Sequence, residues 1–179
     1  MTRSERLRRV VIVSSHFARN LAYYRAGWSE GRLTHAGNQF WTTVNGNCLD
    51  VCVLEWCKLL GDGNGPHHWR QIVGDPANFE AGLLRQLGMN ADGFRKHIEE
   101  MRRYRDKFIA HLDSELVMNI PNLDIPKTAV WFYHQHVVSQ EIGPDDLSGI
   151  DVDKWQSIAN LDRYFEGRWN EAKQIYDST

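Results

Sequence analysis

The sequence predicts an all-α fold, an antiparallel helical bundle in a single domain spanning residues 1–179. Apolar residues recur every three to four positions through most of the chain, the mark of helices with one face turned inward. The densest glycine and proline run, Gly61 to Pro66, falls between two of those stretches. The one segment with strand-like composition, 128–138, would have no partner strand in an otherwise helical chain.

The first helix is expected at about 3–30, where Leu7, Val10, Val11, Phe17, Leu21 and Tyr24 keep mostly helical spacing until Gly27 and Gly31. The second, about 36–60, runs through Phe40, Trp41, Val44, Cys48, Leu49, Cys52, Val53, Trp56 and Leu60, an arc wide enough to imply burial on most sides. Asn45, Gly46 and Asn47 interrupt it, which calls for a closely packed neighbour, a polar patch or a kink. Gly61-Asp62-Gly63-Asn64-Gly65-Pro66 must be a loop, and it lacks the Gly-Lys-Ser/Thr ending of a phosphate loop. Asp75-Pro76 opens a short helix that ends before Gly88, and Asn90 caps the next one, about 91–113, with Asp92 in its first turn. A further helix is expected at about 128–140 and a last one at about 151–176, with Val152, Trp155, Ile158, Leu161, Phe165, Trp169, Ala172 and Ile175 along one face.

Composition narrows the function classes. A net charge of −2 argues against long duplex DNA held mainly by counterion release, so any contact with nucleic acid must be local. Basic residues gather at Arg3, Arg6, Arg8 and Arg9, and again at Arg95, Lys96, Arg102, Arg103, Arg105 and Lys107, where a solvated helix face is the plainest explanation. The longest aliphatic run near the start, Val10 to Val13, is too short for a signal-peptide core or a membrane span, which gives the expectation of a cytoplasmic protein without membrane contact. Cys48, Cys52 and Cys57 lie in one predicted helix and suit reduced core thiols. No metal or cofactor is expected: His67-His68 and the His134/His136 pair are weak candidates, and no Gly-x-Ser-x-Gly turn points to a serine hydrolase.

The helix at 91–113 contains an anomaly. Phe94, Ile98, Met101, Arg105, Phe108 and Leu112 follow one apolar stripe, and Arg105 stands inside it. At about 100° per residue it points within roughly 20° of Phe94 and Leu112, while His111 falls about 120° away beside Tyr104. A guanidinium in a packed seam costs several kcal/mol unless it is paired, wetted or used.

The run Tyr104-Arg105-Asp106-Lys107-Phe108-Ile109-Ala110-His111-Leu112-Asp113 resembles the signature of HEPN domains, an arginine, a polar residue and then a histidine, here with five residues between Arg105 and His111. Its wording is most similar to the AbiU-like branch linked to bacterial abortive infection. The resemblance implies a four- to five-helix core with short extra helices, and a homodimer whose two motif helices line one cleft. It also implies metal-independent cleavage of RNA, in phage defence or as a toxin with an antitoxin protein for a partner. Carried onto this chain, Arg105 would hold the phosphate, His111 would exchange the proton, and Asp106 would orient Arg105 or His111 of the other copy. Tyr104, Arg102 and Lys107 would contribute to binding. Some members carry a modifiable tyrosine two positions beyond the histidine; Asp113 stands there in this chain. A different reading is a non-catalytic helical module that binds a partner protein, a nucleotide or RNA through the same cleft. In it Arg105 would be a structural ion pair with Asp106 of a partner, or with Glu55 or Asp50, and His111 would cap its helix.

Overall fold

The computed structural model describes residues 1–110 and 119–178, and among them the architecture is almost wholly helical. Helix α1 (Arg3–Ala26) is opened by Thr2, whose hydroxyl accepts from the Glu5 N–H while the Glu5 carboxylate reaches back to the Thr2 N–H. Leu7, Val10, Val11, Phe17, Ala18, Leu21, Ala22 and Ala26 are all fully buried, so this helix is covered on nearly every side. Helices α2 (Gln39–Trp56) and α8 (Leu161–Asp177) pack along it, and α6 (Asp124–His136) crosses it on a further side. Between these lie α3 (Trp69–Ile72), α4 (Pro76–Leu87), α5 (Ala91–Tyr104) and α7 (Val152–Ala159).

The first helix stops four residues earlier than the sequence suggests. After Gly27 a two-residue hairpin, β1 (Trp28–Ser29) with β2 (Arg32–Leu33), turns the chain back. Asn45, one of the polar residues in mid-α2, explains the stop: its amide donates to the Tyr24 carbonyl at 2.8 Å and its oxygen accepts from the Trp28 indole at 3.1 Å. It thus satisfies an orphan carbonyl at the end of α1 from a neighbouring helix. Gly27 is required there, since a Cβ would stand 2.6 Å from the Asn45 amide nitrogen.

The 128–138 segment is helical, and α6 runs on through a wider π turn, Val137–Glu141. Its β-branched and aromatic side chains fill the core: Tyr133 is fully buried, and Phe79 of α4 packs against Trp69, Phe132, Tyr133 and His136 with ring centroids 5.0–5.5 Å apart. The expected single helix at 151–176 is two. Asn160 leaves the helical region and caps α8, its side chain accepting from the Arg163 N–H at 3.0 Å. The break rotates the two halves out of one stripe, so Val152 and Ile175 end up exposed while Leu161, Ala172 and Tyr176 are buried. No helix among the described residues is long and apolar enough to cross a membrane.

Two histidines are sealed inside as neutral hydrogen-bonding groups. His68 is placed against the Leu60 carbonyl at 3.2 Å and His134 against the Ile158 carbonyl at 2.9 Å. Burial pushes both down to about 4, from 6.5 in an open chain. Between these values the unfolded chain binds more protons, so stability should fall as pH drops from about 6.5 to 4, by up to about 1.4 kcal/mol per pH unit for each imidazole. Chemical denaturation across that range should show the slope, and His134→Gln, which retains a donor for the Ile158 carbonyl, should remove one imidazole's share of it.

Candidate functional site

Helix α5 starts where the sequence places it, with the Asn90 side chain accepting from the Gly93 N–H at 2.8 Å. Its buried face is not the expected one. Phe94, His97, Met101 and Tyr104 are buried, whereas Ile98 and Arg105 stand at the edge. Hydrophobicity favours Ile98 over His97, but the His97 imidazole packs edge-on to the Trp56 indole at 5.6 Å and fills the seam as an aromatic. Arg105 is therefore a rim residue, with its side chain 21% exposed, and not a charge buried in the stripe.

From Arg105 the helix widens into a π turn, Arg105–Ala110. The α-helical projection that sets His111 about 120° from Arg105 does not apply across this turn. His111 lies outside the described residues, as do Leu112 and Asp113.

The partner of Arg105 comes from the glycine-rich loop. Its Nη1 donates to both carboxylate oxygens of Asp62, at 2.6 and 2.7 Å, and its Nε donates to Asp106 at 2.8 Å. Neither Asp50 nor Glu55 takes that role. Asp50 accepts from the Tyr104 hydroxyl at 2.8 Å, and Glu55 is held by Lys58 at 2.8 Å and His16 at 3.6 Å. The two carboxylates, Asp106 first, hold the Arg105 pKa above its already high ordinary value, so the guanidinium is charged at every working pH.

The loop is built to present Asp62. Helix α2 continues through a π turn, Cys57–Gly61, whose last bond is the Asp62 N–H to the Cys57 carbonyl at 2.7 Å. The Asp62 carbonyl in turn accepts from the Gly65 N–H at 2.7 Å, and a Cβ on Gly65 would stand 3.0 Å from that oxygen. Backbone bonds on both sides fix where the carboxylate starts from. Its side chain is 37% exposed, so water screens the pair.

Of the other expected site residues, Arg102 lies one turn before Arg105 with its Nε 3.7 Å from Asp62 and no hydrogen-bond partner of its own. Asp106 serves Arg105 of its own chain. Lys107 is half-buried in the π turn. Tyr104 is only 3% exposed, with its ring against Phe108 at 5.6 Å, and burial together with Asp50 raises its pKa. That places it as a packing residue under the site and not as a platform for a base. The loop residue Asp62 is the one that sequence reasoning missed. A cation on a helix rim needs a carboxylate from a rigid neighbouring segment, and an aspartate fixed between glycines was the available signal.

Beneath the pair, the Cys57 thiol is pushed up to about 12, chiefly by burial, and is an inert core group beside the charges. All three cysteines are buried and free. Among the described residues no group of three or more His, Cys, Asp or Glu side chains is placed to hold a metal ion. His136 faces Glu141 at 3.1 Å, away from His134. A groove of about 790 Å³ beside Trp131, Lys127, Gln135 and Asn160 does not include Arg105.

Compared with known proteins, the chain matches no family model, no curated protein and no solved structure.

The exposure of the Arg105–Asp62 pair sets its energetic scale. A double-mutant cycle with Arg105→Met and Asp62→Asn, read by thermal or denaturant unfolding, should give a coupling of no more than about 1 kcal/mol. A coupling several times larger would make the pair a structural keystone of the fold.

Proposed function

We propose that this chain is a HEPN-like, metal-independent endoribonuclease acting in phage defence or as a toxin, with Arg105 and His111 of two copies in a composite cleft. The observation that carries the proposal is the placement of Arg105: a permanently charged fork on the rim of the bundle, reachable from solvent, whose internal partner is a half-exposed carboxylate. A phosphate can take the place of that carboxylate, since a guanidinium binds either oxyanion and gains geometric fit from the bidentate arrangement. Asp62 in this reading occupies the phosphate position when no strand is bound.

The chemistry asks for little else. The ribose 2′-oxygen bonds to phosphorus while the bond to the 5′-oxygen breaks, leaving a 2′,3′-cyclic phosphate and a 5′-hydroxyl. One proton leaves the attacking hydroxyl and one reaches the departing oxygen. A histidine near neutral pH serves either transfer. One chain carries one motif histidine, so two copies supply the pair. Arg105 stabilises the charge that grows on the phosphate oxygens.

A second reading has its own observation: Asp62 and Asp106 together engage two nitrogens of Arg105, which also suits a fixed clamp in a non-catalytic module that binds a partner protein, a nucleotide or RNA. The two readings part on one experiment. With a mixed RNA substrate, Arg105→Ala and His111→Ala should each reduce cleavage by at least about a hundredfold, EDTA should have no effect, and Asp62→Asn should bind RNA more tightly than wild type. Wild-type protein that leaves RNA intact, or activity lost on chelation, would sink the nuclease proposal. Weakened RNA binding in Asp62→Asn would favour the clamp.

A further inference from the structure

The groove along α6 contains none of the residues around Arg105 and has a chemistry of its own. It encloses about 790 Å³ and is walled by Trp131 and Phe132 of α6, by Val138 in the π turn that follows, and by Leu161 at the start of α8. A volume of that size accommodates a small organic molecule, and sites for such molecules combine apolar walls with a few placed polar groups.

The polar groups on this groove are unequally occupied. Two carboxylates line it and both are engaged: Asp124 pairs with Arg25, and Asp162 accepts from the Trp131 indole N–H at 2.6 Å. Lys127 stands one helical turn after Asp124 and lines the same groove, yet it makes no ion pair or hydrogen bond with any described residue. Its Nζ lies instead over two rings, 5.2 Å from the centroid of Trp131 and 4.7 Å from that of Phe165, which meet edge to face at 5.8 Å. The rings hold the ammonium by their electron-rich faces and supply no counter-ion. An ammonium has three donors, so an oxyanion in the groove finds both charge and hydrogen bonds at a fixed point. A cation on an open helix face has no such anchor and is simply hydrated. Gln135, one turn beyond Trp131 on the same wall, adds a carboxamide that both donates and accepts.

We propose that this groove binds a small organic anion, whose apolar or planar body rests against Trp131 and Phe132 while its carboxylate or phosphate monoester sits on the Lys127 ammonium. The head group and the body are both required: the charge fixes one end, and the apolar wall excludes water from the other. This site is independent of the RNA reading of Arg105 and stands or falls without it.

The test uses the full-length protein and three probes, benzoate, phenyl phosphate and inorganic phosphate. The reporter is the Trp131 indole N–H resonance, assigned by its loss in Trp131→Phe. At least one ring-bearing probe should shift it with a dissociation constant on the order of 1 mM, ordinary for so few atoms. Inorganic phosphate, which lacks the body, should bind about tenfold more weakly or worse. A response to benzoate alone assigns a carboxylate ligand, and a response to phenyl phosphate alone assigns a phosphate monoester. Lys127→Met keeps an apolar stem between the rings and should weaken binding about tenfold or more, while Lys127→Arg should retain most of it. If Lys127→Met is poorly folded by circular dichroism, Gln135→Trp decides: at an exposed position on the groove wall, it should fill the groove and abolish binding. Three results would each overturn the site: no shift with any probe up to about ten times that concentration, inorganic phosphate binding as well as the ring-bearing probes, or the substituted proteins binding like wild type.

Discussion

A helix that buries apolar side chains around more than half of its circumference needs more than one neighbour to cover it, and that requirement organises this molecule. Helix α1 buries leucine, valine, phenylalanine and alanine around most of its circumference. One neighbour cannot cover such a surface, so α2, α6 and α8 lie around it, and the N-terminal end is tied down by polar contacts. Glu141 illustrates the tie: its carboxylate accepts from Arg3 of α1, from the Gly74 N–H and from His136. Helices α3, α4 and α5 add Trp69, Phe79, Leu83, Phe94 and Met101 to the same core. The candidate site, Arg105 with Asp62, lies on the rim, where α5 and the loop after α2 meet.

Where hydrophobic periodicity was strong, the fold was legible in the sequence. Helix α4 with its Asp75 cap and the Asn90 start of α5 follow from local pattern and capping chemistry, whereas the pattern of 128–138 suits strand as well as helix and only the lack of a partner strand favours the helix that is found. What escaped the pattern depended on particular side-chain partners, two of them distant in sequence and one local. The early end of α1 needed the Asn45 amide of α2, and the break at Asn160 needed a side chain that competes for the backbone. The inward turn of His97 needed the Trp56 indole. A periodicity count weighs side chains by their water preference alone, and each of these three was decided by a specific neighbour.

The site shows the same division. The sequence marks Arg105 as unusual, because any charge near an apolar stripe is. Its moderate exposure and its engagement with Asp62 are tertiary facts, created by a π turn at each end: Cys57–Gly61 delivers the aspartate, and Arg105–Ala110 begins at the arginine. Wider turns of this type leave a helix without breaking it and re-aim the side chains that follow. Two of them meeting at one ion pair is a local geometry that no residue spacing encodes. Under the proposed function, the partial exposure of Asp62 is what lets a phosphate compete for Arg105.

The central claim is that Arg105 exchanges the Asp62 carboxylate for a phosphate. Side-chain NMR of protein labelled at arginine and aspartate, titrated with an uncleavable 2′-O-methyl oligoribonucleotide, observes this exchange directly in the wild-type chain. The account predicts that, on exchange, the Arg105 Nη1 hydrogens and the Asp62 carboxylate carbon shift together in proportion to occupancy, as phosphate replaces the carboxylate. Saturation of the protein with RNA while both signals stay where they were would contradict it.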